Sequence, residues 1–436
     1  MKFSELEGAR VGVWGAGREI SSFAAQLNAR LPSAQIDVAV FDGDVPDVLP
    51  GGGARGVGAA EAVGALAACD VLVRSPGVTI HRPEMAALRE RGTTIVTATG
   101  LWLAEVEGRG VLAVTGTKGK STTAALAAHL ARGAGVDVAL AGNIGVPVLD
   151  LLGTRHELVV LELSSFQIAD LTVGPQTVVV TNLYREHADW HGSTERYADE
   201  KLRVLDLPGV EAVVLNGGDE RLMSRVGSRA DALFGGGGGY DVDERGVVLD
   251  GEVVVAAAEL PLPGRHNALN LAAALAGLRA AGFGVDEAAA LLRDFAPLPH
   301  RLQVVRDDGV VWVDDSISTT PESAMAALAS FPGAELVLIA GGQDRGQDYA
   351  QLARELAARD AALVGIPTTG ARIAAAARSA GAGTVVECAD LEEAVDAARA
   401  VAPAGAVVLL SPAAPSFDHF RDFEERGERF AALVAR

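Results

Sequence analysis

The chain has 436 residues, 49% of them hydrophobic and 22% charged, which is enough for two or three globular domains with sizeable cores. Its 37 basic and 57 acidic side chains give a formal net charge of −20, so neither nucleic acid nor an anionic membrane is expected as a main partner. The first residues lack the apolar segment of a signal peptide, and no apolar run approaches the ~18 residues of a membrane span, so we expect a cytoplasmic protein. Cys69 and Cys388 lie far apart and are expected to be two buried thiols.

The first hundred residues alternate short apolar segments with Ala-rich helical stretches. Strands are predicted at residues 10–14, 36–41, 71–74 and 94–97, and this alternation is typical of a parallel sheet covered by helices. After the first strand comes an incomplete dinucleotide fingerprint, Gly15-Ala16-Gly17-Arg18, with Ile20 in place of a third glycine. It fits a nicotinamide dinucleotide, a nucleotide-sugar diphosphate or only a tight turn. Asp42 is the first acidic residue after the second strand, and Ser75 lies in a second turn expected near the same crevice.

A phosphate-binding turn is predicted in the next segment. Residues 110–115 are an apolar run typical of a buried strand, residues 122–132 have helical periodicity, and between them lies Gly116-Thr117-Lys118-Gly119-Lys120-Ser121-Thr122. This order gathers backbone N–H groups and a helix dipole at one point, which attracts phosphate. In P-loops the lysine reaches the β- and γ-phosphates and the hydroxyl binds Mg²⁺. The turn is shorter than the general pattern, because Val114 stands where a glycine is expected, and an ordinary helix-starting turn is the alternative.

Strand and helix patterns continue to the C-terminus. Strands are predicted at 158–163 and 177–182, a glycine-rich loop at 235–239, antiparallel strands around Val247 and Val253, and a helix from Gly264. Alternation returns with strands at 310–313, 336–339, 361–364, around Val385 and at 407–410. We therefore predict an α/β chain of three domains: residues 1–97, Rossmann-like; residues 98–298, a P-loop ATPase with a mostly parallel sheet; and residues 299–436, again Rossmann-like.

Several polar residues interrupt these apolar patterns. Glu162 ends an apolar strand, where a carboxylate is costly to bury unless it is paired or binds a cation such as Mg²⁺. His187 follows the next strand and fits a second Mg²⁺, a phosphate or a structural role. Lys201 lies in a charged helical segment, where spacing alone predicts a surface lysine. Asn267 and Asn270 share one helix face and fit either a helix cap or a contact to a base or ribose.

Taken in order, these segments resemble the Mur ligase family of ATP-dependent amide-forming enzymes over nearly the whole chain. The resemblance is carried by residues 115–122, 162–167, 182–187, 264–270, 299–301, 314–316 and 410–412, together with Lys201. It implies that residues 1–97 bind a UDP moiety, residues 98–298 bind ATP and residues 299–436 bind an amino acid. ATP and Mg²⁺ are the implied cofactors, and UDP-N-acetylmuramoyl-L-alanine and glutamate the implied substrates, joined through an acyl phosphate in peptidoglycan precursor synthesis.

The resemblance also implies residue roles. The catalytic set is Lys120, Glu162, His187 and Lys201, and the Mg²⁺ ligands are Ser121, Glu162, His187 and a carbamylated Lys201. The ATP contacts are Gly116, Thr117, Lys118, Gly119, Lys120, Ser121, Thr122, Asn267, Asn270, Arg301 and Asp315. The substrate contacts are Gly15, Ala16, Gly17, Arg18, Asp42, Ser75, Asn143, Ser164, Thr319, Arg345, Ser416 and Phe423.

Within the family, residues 411–427 resemble the branch that adds glutamate. Enzymes that add D-glutamate carry a lysine after Asp-Ser, whereas this chain has Ile317, which cannot pair with a carboxylate. A second pocket lysine aligns with Arg345, and Arg is not a simple replacement for Lys. Together with residues 14–19, this pattern resembles a variant branch that adds L-glutamate and leaves inversion to a separate epimerase. We therefore expect an L-glutamate ligase, with D-glutamate as the alternative, and a monomer.

Three other interpretations fit less of the sequence. A nicotinamide dehydrogenase rests only on Gly15-x-Gly17 and leaves the phosphate-binding turn unexplained. A non-catalytic UDP-sugar-binding regulator predicts a damaged ATP site, yet Lys120, Ser121 and Glu162 are present. A folylpolyglutamate synthase shares the ATP chemistry but fits the first domain and the C-terminal serine segment badly.

Overall fold

The computed structural model describes residues 1–15, 17–46, 49–184, 188–285, 287–344 and 346–436. Within these ranges the chain forms three β-sheets with helices between the strands, which confirms the predicted mixed α/β fold with mostly parallel sheets. Among the described residues, none of the helices combines the length and apolar character needed to cross a bilayer.

The first sheet is parallel throughout and has the strand order β3-β2-β1-β4-β5. The chain therefore builds outward from β1 in one direction and then returns to add β4 on its other side. This reversal creates a crevice at the carboxyl ends of β1 and β4, where ligands bind in open α/β sheets. The elements are β1 (Arg10–Trp14), α1 (Arg18–Arg30), β2 (Gln35–Phe41), β3 (Arg55–Gly58), α2 (Ala62–Ala65), β4 (Val71–Arg74), α3 (Pro83–Glu90) and β5 (Thr94–Val96).

The second sheet has the order β14-β13-β12-β11-β10-β9-β6-β8-β7, with antiparallel pairing only at β12-β13 and β13-β14 among these strands. Its strands are β6 (Val111–Thr115), β7 (Val138–Gly142), β8 (Leu158–Glu162), β9 (Thr177–Val180), β10 (Ala212–Asn216), β11 (Ala232–Phe234), β12 (Tyr240–Asp243), β13 (Gly246–Leu249) and β14 (Glu252–Ala256). The helices in this part are α4 (Ala98–Val106), α5 (Lys120–Gly133), α6 (Ser165–Ile168), α7 (Ala188–His191), α8 (Thr194–Leu202), α9 (Glu220–Val226), α10 (Arg265–Ala280) and α11 (Ala288–Leu291).

The third sheet has the order β15-β16-β20-β17-β18-β19, and only the β15-β16 pair in it is antiparallel. Its elements are β15 (Gln303–Asp307), β16 (Val311–Asp314), α12 (Pro321–Ala329), β17 (Leu336–Ala340), α13 (Ala350–Ala358), β18 (Ala362–Gly365), α14 (Gly370–Ala380), β19 (Val385–Glu387), α15 (Leu391–Val401), β20 (Val407–Leu410) and α16 (Phe423–Val434).

Both faces of the third sheet are covered by apolar side chains. In β17, Leu336 and Leu338 belong to the core on one face, while Val337 and Ile339 belong to the core on the other. Successive side chains of a strand point to opposite faces, so a strand that is buried on both faces is apolar throughout. This explains why the continuous apolar runs were correctly predicted as strands.

The chain divides into two compact units, residues 1–259 with 269–294 and residues 260–268 with 295–436. The first two sheets both lie in the first unit, and the third sheet lies in the second. The domain limits at 97/98 and 298/299 fall between sheets and stay predictions.

Both cysteines were expected to be buried thiols. Cys69 is a buried free thiol, and burial raises its pKa to about 11. Cys388 is a free thiol that is only partly buried.

Candidate functional site

The glycine turn predicted to bind phosphate lies at the carboxyl end of β6, a central strand between β8 and β9. Helix α5 begins at Lys120, directly after the turn, so its N-terminus faces the same point. Asn182, which follows β9, holds the turn through two hydrogen bonds. Its carbonyl oxygen accepts from the Thr117 N–H at 3.0 Å, and its Oδ1 accepts from the Lys118 N–H at 2.8 Å. Val114 remains in β6, which is why this turn is shorter than the general P-loop.

Two glycines of the turn lie where there is no room for a side chain. Gly116 has φ +137°, and a Cβ there would lie 2.0 Å from Thr181 Oγ1. Gly119 has φ +81°, and a Cβ there would lie 2.2 Å from Asn270 Oδ1. Both the backbone conformation and the close approach therefore require glycine. The turn has the shape of a backbone cradle at a helix N-terminus, which fits a phosphate group.

Glu162 is the last residue of β8 and is 1% exposed, so it is not a solvent-facing edge residue. Its Oε1 accepts a hydrogen bond of 3.3 Å from Asn143 Nδ2. Its Oε2 is buried and has no hydrogen-bond partner among the described residues. A buried carboxylate oxygen in this position is costly unless a cation binds it. The donor set of Glu162 and the Ser121 hydroxyl at the start of α5 therefore fits Mg²⁺, which prefers oxygen ligands.

Lys201 is 2% exposed, which corrects the surface lysine that spacing alone predicted. Its Nζ donates to the Gly116 carbonyl at 2.8 Å and lies 5.1 Å from the centre of the Tyr197 ring. Tyr197 precedes Lys201 by one helical turn, and its hydroxyl lies 2.8 Å from Thr117 Oγ1. The sequence signal for the burial of Lys201 is its i, i+4 spacing from Tyr197, which puts both residues on the buried face of α8.

Three predicted site residues, Ala16, His187 and Arg345, lie outside the described residues. Their roles stay predictions.

The two turns of the first sheet meet at the crevice between β1 and β4, as their positions predicted. A Cβ on Gly15, whose φ is +102°, would lie 2.7 Å from Ser75 Cβ, and the Ser75 N–H donates to the Trp14 carbonyl at 2.8 Å. Gly17 is the N-cap of α1 and also faces Ser75. Asp42 accepts from Trp14 Nε1 at 3.2 Å at the end of β2. The strand order therefore gathers these predicted substrate contacts at one point.

Arg18 links the first sheet to the loop that follows β7. Its guanidinium donates to the carbonyl oxygens of Gly142, Asn143 and Gly145, at 2.7, 3.1 and 2.8 Å. The predicted substrate contact Arg18 thus also holds the loop that carries the predicted substrate contact Asn143. The neighbouring Glu19 accepts from Gln167 Nε2 at 2.6 Å, and burial raises the pKa of Glu19 to about 7. Gln167 in turn completes the capping box of Ser164 at the start of α6.

A buried ion pair that sequence analysis did not find lies nearby. Arg74 Nε is 2.7 Å from Asp170 Oδ2, with side-chain exposures of 0% and 9%. The same guanidinium donates to the Phe166 and Val78 carbonyls at 2.7 and 3.0 Å. Arg74 therefore ties the end of β4 to the α6 segment, and its position at the end of an apolar strand was the available signal.

The second unit carries a separate group of predicted site residues at the carboxyl ends of its parallel strands. Asp315, just after β16, accepts from Ser411 Oγ at 2.8 Å and from the Leu302 N–H at 3.2 Å. Burial raises the pKa of Asp315 to about 6, and the charge of Arg301 opposes this shift. Thr319 lies in the loop after β16, its carbonyl accepting from Gln347 Nε2 at 2.9 Å. Ser416 is buried after β20, and Phe423 begins α16.

Arg426, also in the second unit, was missed by sequence analysis. It is fully buried and donates to the carbonyl oxygens of Ser316 and Ala414 at 2.8 and 3.2 Å. Burial lowers the pKa of its guanidinium to about 10. Arg426 holds together the loops that follow β16 and β20, which carry Thr319 and Ser416. A lone arginine in a charged helix gave no sequence signal for this role.

Helix α10 carries both amides predicted to contact ATP, and both are more than nine-tenths buried. Asn267 Nδ2 donates to the Pro263 carbonyl at 2.7 Å, which is not a helix cap, because a capping side chain accepts from backbone N–H groups. Asn270 Oδ1 accepts from Thr123 Oγ1 at 3.4 Å, beside the glycine turn.

A short glycine turn between a central parallel strand and a helix N-terminus, with Glu162 and Lys201 buried beside it, defines a P-loop-type nucleotide-binding α/β protein. The Mur ligase middle domain matches residues 114–278, and the Mur ligase glutamate ligase domain matches residues 300–414. The chain belongs to the Mur ligase family.

Two relatives are similar over their full length, and each is named UDP-N-acetylmuramoyl-L-alanine–L-glutamate ligase. The protein from Salinispora tropica is 42% identical, with 100% of this chain and 99% of the relative covered. The protein from Xylella fastidiosa strain Temecula1 is 38% identical, with 100% and 97% covered.

Solved structures share the fold at lower identity. UDP-N-acetylmuramate-alanine ligase MurC from Thermotoga maritima superposes with a TM-score of 0.63 at 19% identity, covering 98% of this chain and 99% of that one. MurF ligase from Thermotoga maritima, in complex with ADP, gives a TM-score of 0.61 at 19% identity, covering 99% and 96%.

Proposed function

We propose that this chain is an ATP-dependent ligase that joins L-glutamate to UDP-N-acetylmuramoyl-L-alanine. The observation that carries the proposal is the 42% identity, over the full length, to a relative with that name. The ATP-dependent part is supported by the glycine turn, by the buried Lys201 and by Glu162 Oε2, which has no hydrogen-bond partner in the described part of the chain. ATP as a co-substrate supports the cytoplasmic location expected from the sequence, and we retain the expected monomer.

ATP would be held by the end of the glycine turn at Gly119 and by the first turn of α5, because the N–H groups of Thr117 and Lys118 already donate to Asn182. Lys120 lies at the start of α5, where its ammonium now donates to the Thr117 carbonyl at 2.9 Å and can turn to phosphate oxygens. Ser121, Glu162, His187 and a carbamylated Lys201 would hold Mg²⁺. When bound, Mg²⁺ neutralises charge that develops on the phosphoryl oxygens.

The reaction we propose has two steps. A carboxylate oxygen of the alanyl residue attacks the γ-phosphorus, the bond to the bridging oxygen breaks, and ADP leaves with its electron pair. The amino nitrogen of glutamate then attacks the acyl carbon, inorganic phosphate leaves with the electrons of the C–O bond, and the nitrogen loses a proton. In both steps the positive charge of Lys120 stabilises oxygens that gain negative charge.

Carbamylation of Lys201 would turn its ammonium into an anionic carboxylate-like group. The contacts of Lys201 Nζ with Thr115 and Gly116 support this role, because they place the side chain next to the glycine turn. The carbamate oxygens would be suitable ligands for Mg²⁺ at that turn. The modification would also replace the positive charge of the buried Lys201 side chain with a negative charge.

The choice of L-glutamate rests on residues of the second unit. Ile317, which follows Ser316, offers no charge to a substrate carboxylate, and Ser316 is held by Arg426 through a 2.8 Å hydrogen bond to its carbonyl. The proposed amino-acid pocket would thus be bordered by a turn that Arg426 holds and that carries an aliphatic side chain. If L-glutamate is the substrate, a separate epimerase must supply the inverted residue downstream.

The test is phosphate release by the purified protein with UDP-N-acetylmuramoyl-L-alanine and Mg-ATP, with L- and D-glutamate in separate reactions. Turnover with L-glutamate alone is the expected result. Turnover with D-glutamate alone would overturn the assignment of handedness and leave the ligase activity intact. No phosphate release with either one would overturn the ligase itself.

A further inference from the structure

A group of three side chains outside the predicted ATP site brings metal-binding atoms together. His81 lies between β4 and α3, His191 ends α7, and Glu200 lies on α8. Glu200 Oε1 is 2.8 Å from His81 Nε2, and Glu200 Oε2 is 2.5 Å from His191 Nδ1. One ligand atom from each of the three residues lies within 4.8 Å of the other two.

The second nitrogen of His191 is also placed as a metal site requires. Its Nε2 lies 3.0 Å from Ser165 Oγ, so a proton on Nε2 can be donated to the hydroxyl while Nδ1 keeps its lone pair for a cation. Metal-binding histidines commonly donate their other N–H in this way. The hydroxyl therefore holds the ring orientation and can accept the Nε2 proton in the tautomer whose Nδ1 binds a cation.

Packing around the two imidazoles holds them in place without relying on Glu200. The Trp190 ring centre lies 4.4 Å from that of His191 and 5.8 Å from that of His81. Trp190 Nε1 donates to the Gly77 carbonyl at 3.1 Å, and Thr79 Oγ1 donates to the Trp190 carbonyl at 2.8 Å. The segment that carries His81 is thus fixed to α7 at two points.

The group has a closed side and an open side. The side-chain exposures are 0% for His191, 15% for Glu200 and 27% for His81, so an ion can enter past His81 and keep a water ligand there. Two imidazoles and one carboxylate with an open fourth position suit Zn²⁺ and similar transition metals. They suit Mg²⁺ poorly, because Mg²⁺ prefers oxygen ligands.

We propose that His81, His191 and Glu200 form a binding site for a divalent transition metal, distinct from the predicted Mg²⁺ site. Glu200 and Lys201 are neighbours in sequence, but they point about 100° apart around α8. Lys201 faces the glycine turn, whereas Glu200 faces the two imidazoles. The inference does not depend on the proposed ligase activity.

The test uses the full chain, freed of metal, titrated with Zn²⁺ by calorimetry and with Co²⁺ by visible absorption. His81→Asn removes a ligand at the exposed side, and Glu200→Gln removes another while keeping its shape. His156→Asn is the matched control, because His156 also pairs with one carboxylate, Asp137 at 2.9 Å, and is similarly exposed at 25%.

We expect His81→Asn and Glu200→Gln to bind one equivalent less than the native protein, or to bind it at least about 10-fold more weakly, because losing even a residue that hydrogen-bonds to a metal ligand costs that much elsewhere. His156→Asn should bind as the native protein does. Zn²⁺ should raise the Tm of the native protein and not that of His81→Asn. Equal stoichiometry and affinity in the native protein and both cluster variants, or no Zn²⁺ binding at all, would overturn the proposal.

Discussion

The Nζ atom of Lys201 lies 2.8 Å from the carbonyl oxygen of Gly116, the first glycine of the phosphate-binding turn. One helical turn earlier on α8, the Tyr197 hydroxyl lies 2.8 Å from Thr117 Oγ1. Helix α8 therefore supports the glycine turn from two residues that lie one helical turn apart. A change at Lys201 acts directly on the backbone that would hold the phosphates.

Lys201→Ala is expected to reduce ligation by about 10²-fold or more, because it removes both the contact to Gly116 and the proposed metal-binding carbamate. Added small carboxylates should restore part of the activity by occupying the space left by the side chain. The measurement is phosphate release with and without acetate or formate. Lys2→Ala is the control, since Lys2 is exposed and pairs with Glu107. Full activity in Lys201→Ala would remove Lys201 from the catalytic set.

Glu19→Gln should change how stability depends on pH. Burial raises the pKa of Glu19 from 4.5 to about 7, so the folded protein keeps the proton in the range where the unfolded chain has lost it. The stabilisation that this proton provides is complete below pH ~4.5 and is lost as the pH rises through about 7. Relative to the native protein, Glu19→Gln should therefore gain about 2–4 kcal/mol of unfolding free energy between these limits.

The check for Glu19 is urea unfolding of both proteins from pH 5 to pH 8. Glu90→Gln, on an exposed residue of α3, should leave the profile as it is. Parallel profiles for Glu19→Gln and the native protein would show that Glu19 is ionised in the folded state throughout.

Arg74→Met should destabilise the first unit by about 3–5 kcal/mol, because it leaves the Asp170 carboxylate buried without its partner. Arg55→Met is the comparison, since Arg55 and Glu61 form an exposed pair, with exposures of 69% and 64%, that should contribute less than about 1 kcal/mol. Chemical denaturation measures both. Equal losses in the two variants would show that Asp170 is reached by water when Arg74 is gone.

The strands and the phosphate-binding turn were predictable because each depends on a pattern of neighbouring residues in the sequence. Apolar runs gave β1, β4 and β20 with their bounds, and glycines that must adopt positive φ marked the turn between β6 and α5. Short or less apolar strands such as β3 and β15 were not found, because edge strands bury fewer of their side chains.

The contacts that join distant segments were not predictable in the same way. Arg74 and Asp170 are 96 residues apart, and Arg426 bonds to Ser316 at a separation of 110, so no local periodicity connects them. Lys201 combines a feature that a local pattern predicts with a contact to a distant segment. Its burial follows from its spacing to Tyr197, but its partner Gly116 is brought near only by the fold of the second sheet.

Gly119→Ala should weaken both stability and ATP binding, because its Cβ would lie 2.2 Å from Asn270 Oδ1 and an alanine at φ +81° costs about 1–2 kcal/mol. Asn270→Ala removes the collision but not the backbone strain, so in the double variant part of the loss should return. Urea unfolding without nucleotide measures this coupling separately from any role of Asn270 toward ATP. A favourable interaction energy above about 0.5 kcal/mol is expected for the pair. Strictly additive effects would mean that the Asn270 side chain turns away freely and that the positive φ of Gly119 alone explains the requirement for glycine.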